Sequence, residues 1–136
     1  MTYTTAVDNL MPDQLGGFFV GWPTPPSRNQ FAAVLRSSYR AVVAIDSTVG
    51  RVVGFITAIS DGMLTAFVPW LEVLPDYQGQ GIGTQLLRRM LTELDHLYSI
   101  DLICDRGLRK FYERHGMIPL QGMGRRNFAA IHDEVK

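Results

Sequence analysis

Cysteine is almost absent: Cys104 stands alone, so no intrachain disulfide and no cysteine-based zinc cluster can form. Histidine is sparse as well. His96, His115 and His132 lack the spacing of a metal site and read as structural or solvated, so no metal is expected. No apolar run approaches the about 18 residues of a membrane-spanning helix, and no basic-then-apolar start marks a secretory signal. The cytoplasm is therefore the expected compartment, without a membrane partner. Net charge is missing too: thirteen basic residues balance thirteen acidic ones, which argues against nucleic acid or an anionic surface as partner. There is no internal repeat and no low-complexity segment. What is present is the composition of a globular chain, 46% hydrophobic and 19% charged, and its 136 residues suit one domain, 1–136, around one core.

Along the chain, the β-branched stretch Thr2 to Val7 predicts a first edge strand. Pro12 near a first turn predicts a helix over Asp13 to Val20, weakened by Gly16 and Gly17. Gly21-Trp22-Pro23-Thr24-Pro25-Pro26 must be a stiff loop, because proline restricts both itself and the residue before it. Ser27 is a natural N-cap for a helix carrying Phe31, Val34 and Leu35 on one face. Strands are expected over Arg40–Asp46, Arg51–Ser60 and Met63–Leu74, the last two joined at the hairpin signal Asp61-Gly62. Pro69 inside the third of these predicts a bulge. Ser99–Cys104 alternates like a strand, and Leu108–His115 reads as a short helix stopped by Gly116. Met117–Leu120 and Asn127–Ile131 are candidate closing strands, joined through Gly122–Arg126.

The chain turns on one stretch. Leu71-Glu72-Val73-Leu74-Pro75-Asp76-Tyr77-Gln78-Gly79-Gln80-Gly81-Ile82-Gly83-Thr84 runs directly into an amphipathic helix with Leu86, Leu87, Met90, Leu91 and Leu94 on its apolar side. Three glycines in five residues permit positive φ and let a ligand approach without meeting a Cβ. The amides that follow open a helix, where donors lack intrahelical partners and the dipole is positive. Such a turn suits a phosphate or pyrophosphate. The spacing is neither that of a P-loop, which needs Gly-Lys-Ser/Thr, nor that of the dinucleotide fingerprint, whose last glycine lies further on. A plain strand-to-helix turn is the simpler alternative.

The motif Gln78-x-x-Gly81-x-Gly83, with Pro75-x-Tyr77 before it, resembles the coenzyme A loop (Arg/Gln-x-x-Gly-x-Gly/Ala) of the GNAT N-acetyltransferase superfamily. Phe111-Tyr112-Glu113-Arg114-His115-Gly116-Met117 resembles a second segment of that family, Phe-Tyr-x-x-x-Gly-Phe, with Met117 in place of phenylalanine. The resemblance implies an α/β (α+β) fold: a mixed sheet of six or seven strands flanked by about four helices, splayed beside the coenzyme loop. It implies acetyl-CoA as co-substrate and direct acetyl transfer to a primary amine on a small molecule or a peptide. Pairs of subunits are common in that family, and nothing in the composition decides for or against a homodimer.

Carried onto this chain, the resemblance gives Leu71, Glu72 and Val73 to the pantetheine arm, with the Val73 N–H on the thioester carbonyl. Gly79, Gln80, Gly81, Ile82, Gly83 and Thr84 would hold the pyrophosphate, with Gln78, which opens the motif, also on the coenzyme. Asp105 occupies a position where relatives often carry a coenzyme-binding asparagine, and an ionised acid cannot donate there. Tyr112 matches the tyrosine taken to protonate the departing thiolate; the alternative is a packed ring with its hydroxyl tied to backbone. Glu72 is the sole carboxylate on the strand before the loop and the candidate base or amine ligand; it could equally pair with Arg40 or Arg51. Trp22 and Trp70 are candidates for the acceptor pocket, where an aromatic lining would suit an arylalkylamine or hold an ammonium. Two other readings stay open, a non-catalytic acyl-CoA sensor of the same fold and a phosphate-binding domain for another nucleotide.

Overall fold

The structure, a computed structural model, describes residues 1–131, so His132 lies outside the described residues. Five strands form one sheet in sequential order: β1 (Thr2–Thr4), β2 (Arg40–Asp46), β3 (Arg51–Ser60), β4 (Thr65–Val73) and β5 (Ser99–Asp101). The first four pair antiparallel, whereas β5 joins β4 in parallel after a crossover helix. Helices α1 (Arg28–Ser37) and α2 (Ile82–Glu93) flank the sheet, and a single-turn helix, α3 (Arg109–Glu113), follows β5. No described helix is long and apolar enough to cross a membrane.

Local signals explain most of these boundaries. Ser27 caps α1 by accepting from the Gln30 N–H at 3.0 Å, while the Gln30 carboxamide returns the contact to the Ser27 N–H at 2.8 Å. Asp61 closes the β3–β4 turn, its Oδ1 accepting from the N–H groups of Met63, Leu64 and Thr65, with Gly62 at φ +77. Gly116 ends α3 at φ +84. The register of β4 on β3 slips where Pro69 sits: Thr57 faces Trp70 and Ile59 faces Phe67, leaving Val68 and Pro69 opposite Ala58.

Three expectations are corrected. The helix over Asp13 to Val20 does not form; a 3₁₀ turn at Pro12–Gln14 gives way to a loop in which Gly17 (φ +91), Phe19 (φ +62) and Gly21 (φ +86) are left-handed. Among the described residues the sheet has five strands, not six or seven. Residues 117–127 carry no regular structure and 128–131 form a 3₁₀ turn, so neither closing strand forms. Pro119 has no N–H to give, Gly122 and Gly124 weaken any strand, and Ile118, Leu120 and Met123 stay exposed.

Helix α2 packs one sheet face through Ile82, Leu86, Leu87 and Met90, all buried. Gly54 lets it approach: a Cβ there would meet Leu86 Cδ1 at 3.0 Å and Ile82 Cγ2 at 3.2 Å. The opposite face is aromatic. Phe55 projects among Phe18 (ring centroids 5.2 Å apart) and Phe31 (4.6 Å), with Phe19 beside them. Thr57 shares this face, and its fully buried hydroxyl has no hydrogen-bond partner among the described residues. An unsatisfied buried hydroxyl contributes nothing and costs its desolvation. Thr57→Val, nearly isosteric, is therefore expected to leave stability unchanged or raise it by about 1 kcal/mol in denaturant unfolding. A loss of similar size would mean that the hydroxyl is bonded.

Candidate active site

The glycine loop begins where β4 ends. Leu74 is buried and its N–H donates to Val53 O at 2.9 Å, which holds the strand end onto β3. Strand alternation then turns the amides of Leu71 and Val73 away from β3, toward the side where β5 would lie. There β5 is missing. The β4–β5 ladder consists of Thr65–Ser99, Ala66–Ile100 and Phe67–Asp101, and from Val68 to Val73 this edge of β4 has no strand beside it among the described residues. The Gln78 carboxamide covers one group of that margin, donating to Val73 O at 3.0 Å.

The 3₁₀ turn Pro75–Tyr77 leads into the loop, and Tyr77 anchors it to β2 through a 2.7 Å hydrogen bond from its hydroxyl to Asp46 Oδ2. That bond, with further help from Thr48, holds the Asp46 carboxyl below its usual range, and it raises the Tyr77 phenol. Gly79 (φ +78) and Gly81 (φ +82) adopt the left-handed conformation, and a Cβ on either would meet nothing within 4 Å. Gly81 is the N-cap of α2, and no side chain caps the first-turn amides of Ile82, Gly83 and Thr84. These donors therefore lack a side-chain cap at the positive end of a twelve-residue helix. Gln80 is exposed on the same loop.

Helix α3 closes the site from the other side. A Cβ on Gly83 would lie 3.8 Å from Val73 Cγ2 and 3.9 Å from Phe111 Cζ, so strand end, helix start and α3 converge. Next to Phe111, Tyr112 is buried, and its hydroxyl makes no hydrogen bond among the described residues. The backbone tie considered for it is not made. Burial, with a smaller contribution from nearby Cys104, pushes the Tyr112 phenol up to about 12, so it remains a protonated donor at neutral pH. Asp105 is exposed and starts the 3₁₀ turn Arg106–Leu108, its carbonyl accepting from the Leu108 N–H at 2.9 Å.

Trp22 and Trp70 come together, ring centroids 5.3 Å apart and edge to face, each about a third exposed at 37%. Glu72 lies two residues beyond Trp70 on the same face of β4, and its carboxylate accepts from the N–H groups of Phe19 (2.9 Å) and Val20 (3.4 Å). Neither candidate arginine pairs with it: Arg40 meets Glu93 at 3.3 Å, and Arg51 donates to Gly16 O at 3.0 Å. Sequence reasoning missed this contact and the Tyr77–Asp46 bond. The glycines at 16, 17 and 21 were the available signal for the first, reading as a curled loop instead of a weak helix. Among the described residues, no His, Cys, Asp and Glu group could hold a metal ion.

A mixed sheet whose parallel pair opens beside a helix-initiating glycine loop is the architecture of the GNAT acetyltransferases. The description "Acetyltransferase (GNAT) family" fits residues 7–117, and the chain belongs to that family. A solved structure of a proposed acetyltransferase from Deinococcus radiodurans R1 is similar at 41% identity and a TM-score of 0.89, covering 93% of this chain and 88% of that one. Histone acetyltransferase TAP1 of Glycine max is 32% identical over 71% of this chain and 46% of its own length. The N-acetyltransferase ycf52 of Gracilaria tenuistipitata var. liui, itself uncharacterized, is 28% identical over 73% and 56% respectively. The chain thus spans about half the length of the curated relatives it matches.

Tyr112 has a measurable signature. A phenol whose folded pKa lies above its unfolded value of about 10 gives stability that is complete below pH 10 and is lost as pH rises toward about 12. Unfolding free energy measured across that alkaline window is expected to fall in the wild type and to fall less steeply in Tyr112→Phe. Parallel slopes would mean that burial of Tyr112 does not raise its phenol.

Proposed function

We propose that the chain is an acetyl-CoA-dependent N-acetyltransferase that moves an acetyl group directly to a primary amine on a small molecule or a peptide, in a cytoplasmic setting. The single observation that carries this reading is the uncapped, side-chain-free start of α2 set against the unpaired end of β4. A phosphate fits the first; an extended amide-bearing arm fits the second. When bound, the co-substrate would supply the activated acetyl thioester.

The protein groups then have separable tasks. The amides from Gly79 to Thr84 hold the diphosphate, and the open margin at Leu71 and Val73 orients the arm by strand-like pairing. The Val73 N–H donates to the thioester carbonyl oxygen, where negative charge develops. Tyr112 donates a hydrogen bond to the departing sulfur. An ordinary thiol ionises near about 8.5, well below this phenol, so Tyr112 stabilises the thiolate by hydrogen bonding and solvent completes the proton transfer. The exposed faces of Trp22 and Trp70 would receive the amine-bearing group. The name of the Glycine max relative, a histone acetyltransferase, supports including a lysine peptide among the acceptors tested.

Ligand stabilisation follows the ratio of concentration to affinity, so acetyl-CoA should raise the melting temperature where ATP and NAD at equal concentration do not. Gly81→Val, which puts a side chain into the phosphate space, should abolish that rise. In the absence of ligand it should cost about 1–2 kcal/mol, because a β-branched residue is forced to φ +82. Equal protection by ATP would point to a different nucleotide. In a thiol-release assay with a panel of arylalkylamines and lysine peptides, Tyr112→Phe is expected to lower kcat about 10²-fold while acetyl-CoA still protects against heating. Coenzyme binding by the wild type without turnover on any amine would favour the sensor.

A further inference from the structure

We propose that Glu72 is a positioning residue, a carboxylate clamp that sets the aromatic acceptor loop, and not the proton acceptor of the reaction. This inference rests on the acetyltransferase reading for its role in turnover, and on geometry alone for the clamp itself.

The geometry begins with strain. Phe19 is the one non-glycine residue with positive φ among the described residues, at +62, a region that bulky side chains avoid. Gly17 at φ +91 and Gly21 at φ +86 bracket it, and this left-handed curl brings the N–H groups of Phe19 and Val20 onto one acceptor. Successive amides arranged this way form a concave anion site. Its anion is built in: Glu72 Oε1 lies 2.9 Å from the Phe19 nitrogen, and Oε2 lies 3.4 Å from that of Val20. At the loop entrance the charge is reversed, with the Arg51 guanidinium donating to Gly16 O at 3.0 Å. One strand holds the loop by its carbonyl and the next by its amides.

What the clamp positions is aromatic. The Phe19 ring lies 5.1 Å from Phe31, 5.1 Å from Trp22 and 6.1 Å from Trp70 by centroid, edge to face in each case. Trp22 thereby meets Trp70 at 5.3 Å on the surface that would receive the amine. Without the carboxylate, Phe19 has no compensation for its conformation, and its relaxation displaces Trp22. A general base at this position would defeat the arrangement. Both carboxylate oxygens already accept from backbone donors, so taking a substrate proton would weaken the grip on the loop during every turnover.

The chain has two tryptophans, Trp22 and Trp70, so fluorescence excited selectively at tryptophan, beyond the absorption of the five tyrosines, reports on this aromatic pair. In Glu72→Ala, tryptophan emission should shift to the red and hydrogen exchange at the Phe19 and Val20 amides should accelerate at least tenfold, all without substrate. Glu72→Gln keeps a carbonyl acceptor and should show a smaller change in the same direction. In the acetylation assay, Glu72→Gln should raise the KM for the amine by more than it lowers kcat, with the acidic limb of the kcat/KM profile where the wild type has it. A 100-fold fall in kcat with loss of that limb, and with emission and exchange as in the wild type, would overturn the proposal and make Glu72 the base. Unchanged exchange in both variants would overturn the clamp. If the alanine variant does not fold, the glutamine variant still decides. A wild type that acetylates no amine removes the transferase reading alone, because fluorescence and exchange still test the clamp.

Discussion

The structure depends on a strand that has two neighbours for only part of its length. At Ala66 and Phe67, β4 is paired on both sides; from Trp70 onward it is paired with β3 alone. The divergence begins where Pro69 and the slipped register break the regular ladder, and β5 runs out after Asp101. The stretch from Leu71 to Thr84 proposed for the coenzyme lies along or just after the margin thus opened. The glycine turn can only serve it because Leu74 pins the strand end to Val53 and Tyr77 pins the turn to Asp46. The proposed phosphate cradle and the proposed slot for an extended arm are thereby held in fixed relation by contacts that involve neither.

The two sheet faces divide the remaining work. The α2 face is aliphatic and close-packed, with Gly54 allowing the helix to lie against β3, so the helix start cannot drift from the strand end. The other face is built from Phe18, Phe19, Phe31 and Phe55 and ends at the half-covered Trp22 and Trp70. Rigid rings with few rotatable bonds carry a contact surface at small entropic cost, which suits a surface that must receive a ligand. The strained turn at Phe19 is where that rigid surface is fastened to the sheet by charge.

Much of this was legible in the residues. The order β2, β3, β4, glycine turn, α2 followed from alternation, turn residues and helical spacing, and the Ser27 capping box and the Pro69 bulge were readable from local chemistry. Both motif segments could be named, and the fold brings them close together, since a Cβ added at Gly83 would lie 3.9 Å from Phe111 Cζ. Errors arose where tertiary contacts decide conformation. Asp13 to Val20 carries enough helix formers to suggest a helix, yet Glu72, more than fifty residues away, selects a left-handed Phe19 instead. Met117–Leu120 has strand-like residues, but a strand needs a partner, and none of the described elements supplies one. Long-range hydrogen bonds of this kind leave no periodic trace in sequence.

A bare strand margin is also a hazard, because any extended segment of another molecule could copy it and start a chain of additions. Here the templating length is cut from both ends. Pro69 has no amide hydrogen to offer an intruder, and the Gln78 carboxamide already occupies the Val73 carbonyl. What remains between them is a few residues, long enough for a slender arm with two amides and short for a stable cross-molecule ladder. The same chemistry that keeps the slot open thus also guards it against self-assembly.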